Sequence, residues 1–213
     1  MPAAAPVDCS IQKCVALTLD DGPSPLSTSF VDVLQSKGAP ASFFVVANRI
    51  ANYPGVLRRM VDGGQTVGSH SLAHAHPAQQ SAEALLADNS RSDELITAET
   101  GLPVTLYRPP YGERSDAITA VSGQLGLAQI LWNVDSLDWQ SRDANKVVEQ
   151  VMTTVRPGSI ILTHDLYQST LDAYPILIDR LREAGYVIVT IPELLGGASQ
   201  AGVTYFSGLA PPA

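Results

Sequence analysis

This 213-residue chain has no apolar run near the roughly 18 residues that a membrane-spanning helix needs, which excludes a helical membrane protein. Positive charge is scarce: 13 Lys and Arg face 21 Asp and Glu, a formal net charge of −8. Without a basic stripe to neutralise phosphates, nucleic acid is excluded as a partner. Charged residues make up only 16% against 45% hydrophobic ones, so the chain can bury one sizeable core and reads as a single soluble domain.

Cysteine is nearly absent. Cys9 and Cys14 stand in C-x4-C spacing ahead of the first apolar run and could close a small disulfide. A zinc pair would need further ligands nearby, whereas every histidine lies at position 70 or beyond, and two free thiols are the remaining alternative. A disulfide implies export. Residues 1–6 carry neither a charged n-region nor an apolar h-region, so the expectation is a mature secreted protein restarted at Met1, its signal peptide absent from this sequence.

What the chain does have is alternation. Short apolar, β-branched runs at 14–19, 41–46, 66–70, 105–108, 128–134, 159–163 and 186–190 read as about seven strands. Between them lie amphipathic helical patterns, the clearest being Phe30, Val33 and Leu34 before Gly38, Ser81 to Gly101, Ser115 to Gly126, and Ile178 and Leu181 before Gly185. Strands alternating with helices pair in parallel through right-handed crossovers, so the expected fold is α/β, barrel-like, with a doubly wound sheet as the alternative. Residues 1–14 form an N-terminal segment, 15–195 the domain, and 196–213, rich in Gly, Ala, Ser and Pro, a tail.

The unusual residues cluster where strands end. Asp20-Asp21, His70, Arg108-Pro109-Pro110-Tyr111-Gly112, Asp135 to Trp139 and His164-Asp165 follow five different runs. In α/β folds the carboxyl ends of the strands form the functional rim, so these residues should converge on one site. Asp-Asp-Gly-Pro alone also suits a turn. His70 and His74, spaced by four, would face one side of a single helical turn and could share an ion.

Two imidazoles and a carboxylate make three ligands and leave a position for water, as in catalytic zinc-type sites. Asp20 is then placed to take a proton, and His164 to give one to a leaving group, with Asp135, Asp138 and Asp165 all available to orient that histidine. Consecutive prolines stiffen the 108–112 loop and fix the N–H groups that follow, which could stabilise an oxyanion. Trp139 and Leu162 could enclose a methyl-sized group or be plain core.

These segments together resemble the polysaccharide deacetylases of carbohydrate esterase family four. The residues that carry the resemblance are Thr18-Leu19-Asp20-Asp21-Gly22-Pro23, His70-Ser71-Leu72-Ala73-His74, Arg108-Pro109-Pro110-Tyr111-Gly112, Asp135-Ser136-Leu137-Asp138-Trp139 and Leu162-Thr163-His164-Asp165. The resemblance implies a distorted (β/α) barrel. It further implies Asp20 as general base, Asp21, His70 and His74 as ligands of one divalent ion, zinc before cobalt or nickel, and His164 as general acid. Arg108 would orient the base, Tyr111 would lend its backbone N–H to the oxyanion, Asp138 would tune His164, and Trp139 with Leu162 would line the acetyl pocket. The implied partner is an acetylated polysaccharide or oligosaccharide acted on by a monomer. N-acetylglucosamine polymers lead, acetylated xylan is the alternative, and a noncatalytic polysaccharide-binding protein the minor one. Leu19 departs from the aromatic residue usual there, and should point away from Asp20. His76 lies outside the ligand pair.

Overall fold

The computed structural model describes residues 7–209, so the reading of residues 1–6 as a processed N-terminus lies outside them. Among the described residues there are nine strands: β1 (Cys14–Asp20), β2 (Ser42–Val45), β3 (Thr66–Ser69), β4 (Leu106–Tyr107), β5 (Ala128–Ile130), β6 (Val134–Asp135), β7 (Ile160–His164), β8 (Val187–Val189) and β9 (Thr204–Tyr205). The helices are α1 (Ser27–Ser36), α2 (Val56–Asp62), α3 (Ala82–Thr100), α4 (Asp116–Gln124), α5 (Asp138–Ser141), α6 (Ala144–Thr154), α7 (Gln168–Glu183) and α8 (Ile191–Leu194). Among the described residues no helix is long and apolar enough to cross a membrane.

All strand pairs are parallel, in the order β6-β7-β1-β2-β3-β4-β5-β9, with β8 beside the first half of β1. β5 and β6 sit far apart on this path, yet only residues 131–133 join them. A link of three residues spans at most about 10 Å, so the sheet must curl round on itself into a distorted barrel. The apolar run 128–134, which reads as one strand, is this corner: Asn133 turns to exchange hydrogen bonds with Ile160, and the chain leaves β4 for β7. β9 comes from the stretch that reads as a tail, and pairs with β5.

β1 shows how sequence sorts the interior. Val15, Leu17 and Leu19 join the core between sheet and outer helices, with Phe30, Leu34, Leu177 and Leu181. Cys14 and Ala16 point the other way, into an inner cluster with Phe44, Leu106 and Ile130. The period of two therefore sends Leu19 outward, as expected, and Asp20 inward. Cys9 and Cys14 form a disulfide at the floor of this inner cluster. The start signals at Ser81 and Ser115 hold, each capping its helix, α3 and α4, by accepting a backbone N–H, and Asp143 caps α6 in the same way.

Candidate active site

Five strand ends deliver the chemistry. Asp20 closes β1, His70 follows β3, Arg108 follows β4, Asp135 ends β6 and His164 ends β7. A cleft of about 460 Å³ opens there, lined by Asp20, Asp21, His70, His74, Tyr111, Trp132, Asp135, Trp139, Leu162, His164 and Tyr167. A larger hollow of about 620 Å³ near α5 and α6 holds Lys146 and Glu149 but none of the clustered Asp and His groups.

Asp20 is buried and held by Arg108, whose Nη1 donates to Asp20 Oδ1 at 2.6 Å and to Thr18 Oγ1 at 2.8 Å. The guanidinium is itself fully buried. Its Nε donates to the Ile130 carbonyl at 2.9 Å, its Nη2 to the Leu131 carbonyl at 3.3 Å, and its Cζ lies 4.1 Å from the Phe44 ring centroid. The last carbonyl of β5 and the first of the 131–133 corner thus anchor the arginine that anchors Asp20.

Asp21 begins the turn in a left-handed backbone conformation, φ 74°, and its carboxylate faces the same cleft as that of Asp20, each within 3.7 Å of His70 Nε2. The next residue must be glycine, because a Cβ on Gly22 would collide with the buried Asp165 carboxyl. Asp21 Oδ1 lies 3.2 Å from His74 Nε2 and 3.5 Å from His70 Nε2. It is buried without a well-directed hydrogen bond among the described residues. Burial alone would raise Asp21, but the contact with His74 and the charges of His70, His164 and His74 outweigh it and bring the pKa to about 2.

His70 presents the complementary group. Its Nδ1 sits 2.6 Å from the Arg108 carbonyl, which can only accept, so Nδ1 carries the proton and Nε2 offers its lone pair toward Asp21. Burial pushes the imidazole below its usual range, against the pull of Asp20 and Asp21, and so favours that neutral form. Donor atoms of Asp21, His70 and His74 all lie within 4.8 Å of one another. An unpaired, buried carboxylate oxygen facing the ring nitrogens of two imidazoles fits a divalent cation.

The expected helical turn for His70 to His74 is not present. Both imidazoles lie on an irregular loop with positive φ at Ser71 (70°) and His74 (57°), pinned where Ser71 Oγ accepts from the His74 N–H at 2.8 Å. The spacing of four brings the rings together by a different route, because the loop needs its hydrogen bonds to turn into the cleft.

Across the cleft, Asp138 and His164 form the second unit. Asp138 Oδ1 lies 2.8 Å from His164 Nδ1 and accepts from the Trp139 N–H at 2.8 Å, while Oδ2 accepts from the His164 N–H and from Thr170 Oγ1, each at 2.8 Å. Of the three aspartates that sequence left open, Asp138 therefore orients His164. Asp135 instead accepts from the Leu137 N–H at 2.9 Å and shapes the loop, and Asp165 faces Ser27. Burial pushes His164 down, but the hydrogen bond and charge of Asp138, with Asp20 and Asp21 behind them, raise it to about 9.

Tyr111 has a left-handed backbone, φ 60° and ψ 8°, and its N–H finds no backbone acceptor among the described residues. Trp139 is half exposed and Leu162 buried, both on the cleft wall. Trp132 and Tyr167 also line it, and sequence reading missed both. Tyr167 stands three residues beyond His164, and Trp132 in the corner between β5 and β6, so neighbourhood to rim residues was the available signal.

A profile described as polysaccharide deacetylase matches residues 8–130. Among curated proteins, the peptidoglycan-N-acetylmuramic acid deacetylase PdaC of Bacillus subtilis (strain 168) is 36% identical over 184 residues, covering 86% of this chain and 39% of that protein. The chain thus spans about two fifths of that relative. The chitooligosaccharide deacetylase of Bradyrhizobium sp. (strain ANU 289) is 35% identical, with 88% of this chain and 93% of the relative covered. A solved structure described as a T48 deacetylase with substrate superposes with a TM-score of 0.90 at 37% identity, over 93% of this chain and 99% of the other. From a family profile over more than half its length and a relative of matching size, the chain belongs to the polysaccharide deacetylase family, carbohydrate esterase family four.

Proposed function

We propose that the protein is a divalent-metal-dependent deacetylase of N-acetylglucosamine polymers or oligomers, of chitin, chitooligosaccharide or peptidoglycan type, secreted and acting as a monomer. The observation that carries this reading is the pairing across one cleft of an Asp-His-His cluster with a histidine locked on a buried aspartate. Relatives named for peptidoglycan and chitooligosaccharides supply the substrate class, and the disulfide together with those relatives supports export.

Asp21, His70 and His74 would hold the ion, and two imidazoles with one carboxylate suit zinc, with cobalt or nickel as alternatives. When bound, it would lower the pKa of water to about 7 and polarise the acetyl carbonyl. Asp20, fixed by Arg108, takes a proton from the attacking water. The Tyr111 N–H donates to the oxygen that gains charge, Trp139 and Leu162 enclose the methyl group, and His164 protonates the departing nitrogen.

The test is acetate release from chitooligosaccharides, peptidoglycan and acetylated xylan, using chelator-stripped protein with and without zinc or cobalt. Release from the first or second that metal restores supports the proposal. Release from xylan alone moves the substrate to an ester, and no release with any metal refutes the reading.

The His164 unit also fixes a pH dependence. His164 must be protonated to act as acid, so kcat/KM should fall as pH rises past the histidine's pKa. That limb belongs below about 9, because a bound cation partly cancels the Asp20 and Asp21 charges that raise it. Asp138→Asn removes the largest raising influence and should move the limb down by roughly one pH unit or more, toward the ordinary value of about 6.5. A pH–rate profile with an unmoved limb would remove His164 from the acid role.

A further inference from the structure

One side-chain cluster at the cleft rim remains unused. His76 stacks on the Tyr111 ring with centroids 4.0 Å apart and planes 11° from parallel, and His74 packs edge-on against Tyr111, at 4.7 Å and 71°. His76 Nδ1 lies 2.8 Å from Glu113 Oε1, and Glu113 Oε2 accepts from the Ala78 N–H at 2.9 Å. Glu113 thus ties the loop after His74 to the loop that carries Tyr111. Its own N–H returns to the Pro110 carbonyl at 3.2 Å.

We propose that His76 and Glu113 are positioning residues that hold the Tyr111 backbone N–H at the acyl oxygen. The inference rests on the deacetylase reading above. A bulky residue strains its backbone at φ 60°, and such a conformation persists only where its surroundings hold it. Pro109 and Pro110 stiffen the approach, but they precede Tyr111 and leave its ring and the following residues free to relax. The ring sandwich and the Glu113 bridge supply the missing constraint on the far side. Because His76 and Glu113 are at the surface, their pairing adds little to global stability. What it controls is the direction of one N–H, and oxyanion donors act only when aimed at the oxygen that gains charge.

Three variants test this. His76→Ala removes the stack and the histidine arm of the bridge, leaving Glu113 on the Ala78 N–H, His76→Phe keeps the stack without that arm, and Glu113→Gln keeps a neutral bridge. With a chitooligosaccharide, His76→Ala should lower kcat roughly tenfold or more while KM, zinc affinity and Tm stay near wild type, and His76→Phe should recover most of the loss. Glu113→Gln should fall between wild type and His76→Ala. In 15N-labelled, metal-free protein, the Tyr111 amide resonance should shift and broaden in His76→Ala and return toward its wild-type position in His76→Phe. That spectrum decides the point even if wild-type protein releases no acetate, so failure of the deacetylase reading and failure of the clamp are separable. Wild-type kcat with an unmoved amide in His76→Ala overturns the proposal. So does a kcat loss matched by an equal loss of zinc affinity, since His76 would then serve His74 rather than Tyr111.

Discussion

Asp20→Asn should abolish turnover, lowering kcat by about 10²–10⁴ while leaving the protein able to take up zinc. The amide has the size of the carboxylate, and its oxygen can still accept from Arg108 Nη1, so the geometry around Asp21, His70 and His74 is kept. It cannot take a proton from water. The substitution also leaves the buried Arg108 charge uncompensated, since its other partners are Thr18 Oγ1 and the Ile130 and Leu131 carbonyls. Some fall in Tm is therefore expected, and activity must be compared well below both melting points. Acetate release measured beside zinc binding checks the result. Turnover within tenfold of wild type, with zinc bound, would show that another group accepts the proton.

The sequence made the site more legible than the fold, for a physical reason. Asp, His and Arg rarely end apolar strands without a partner, so their recurrence after five runs marked one rim, and β1, β3, β4, β6 and β7 deliver them there. Periodicity of two separated Leu19 from Asp20 correctly, because alternation is dictated by the pleat alone. The run 128–134 was misread because continuous apolar residues carry no mark of a corner. Of its two polar residues, Gln129 and Asn133, the second makes the corner, and its exchange with Ile160 is a tertiary fact. β9 was invisible for a similar reason: a two-residue edge strand between Gly202 and Ser207 has too little pattern to rise above its glycines.

The irregular geometry was the least legible. Spacing placed His70 and His74 together, but positive φ at Ser71, His74 and Tyr111 arises from hydrogen bonds and packing that only the folded chain brings about. Likewise, Asp135, Asp138 and Asp165 are equivalent as letters. Only the third dimension distinguishes the one that receives His164 Nδ1 and Thr170 Oγ1 from the one that faces Ser27. His76 drew no role because its partner, Glu113, is remote in sequence and ordinary in type.

Arg108 is where fold and site meet, and its removal should show it. Arg108→Met replaces a fully buried cation by an apolar chain of comparable length and strands the Asp20 carboxylate, 2% exposed, without its partner. Breaking a buried ion pair from one side costs about 3–5 kcal/mol, which for a domain of this size is a fall in Tm of roughly 6–20 °C. The double variant Arg108→Met/Asp20→Asn removes both charges. It should be more stable than Arg108→Met, with a coupling of about 0.5–3 kcal/mol between the two sites. It should not reach wild type, because the Ile130 and Leu131 carbonyls still lose their donor. Thermal or urea unfolding of the four proteins closes this cycle. If the losses of the two single variants simply add in the double, the pair is not coupled, and Arg108 serves the 131–133 corner of the barrel rather than the orientation of Asp20.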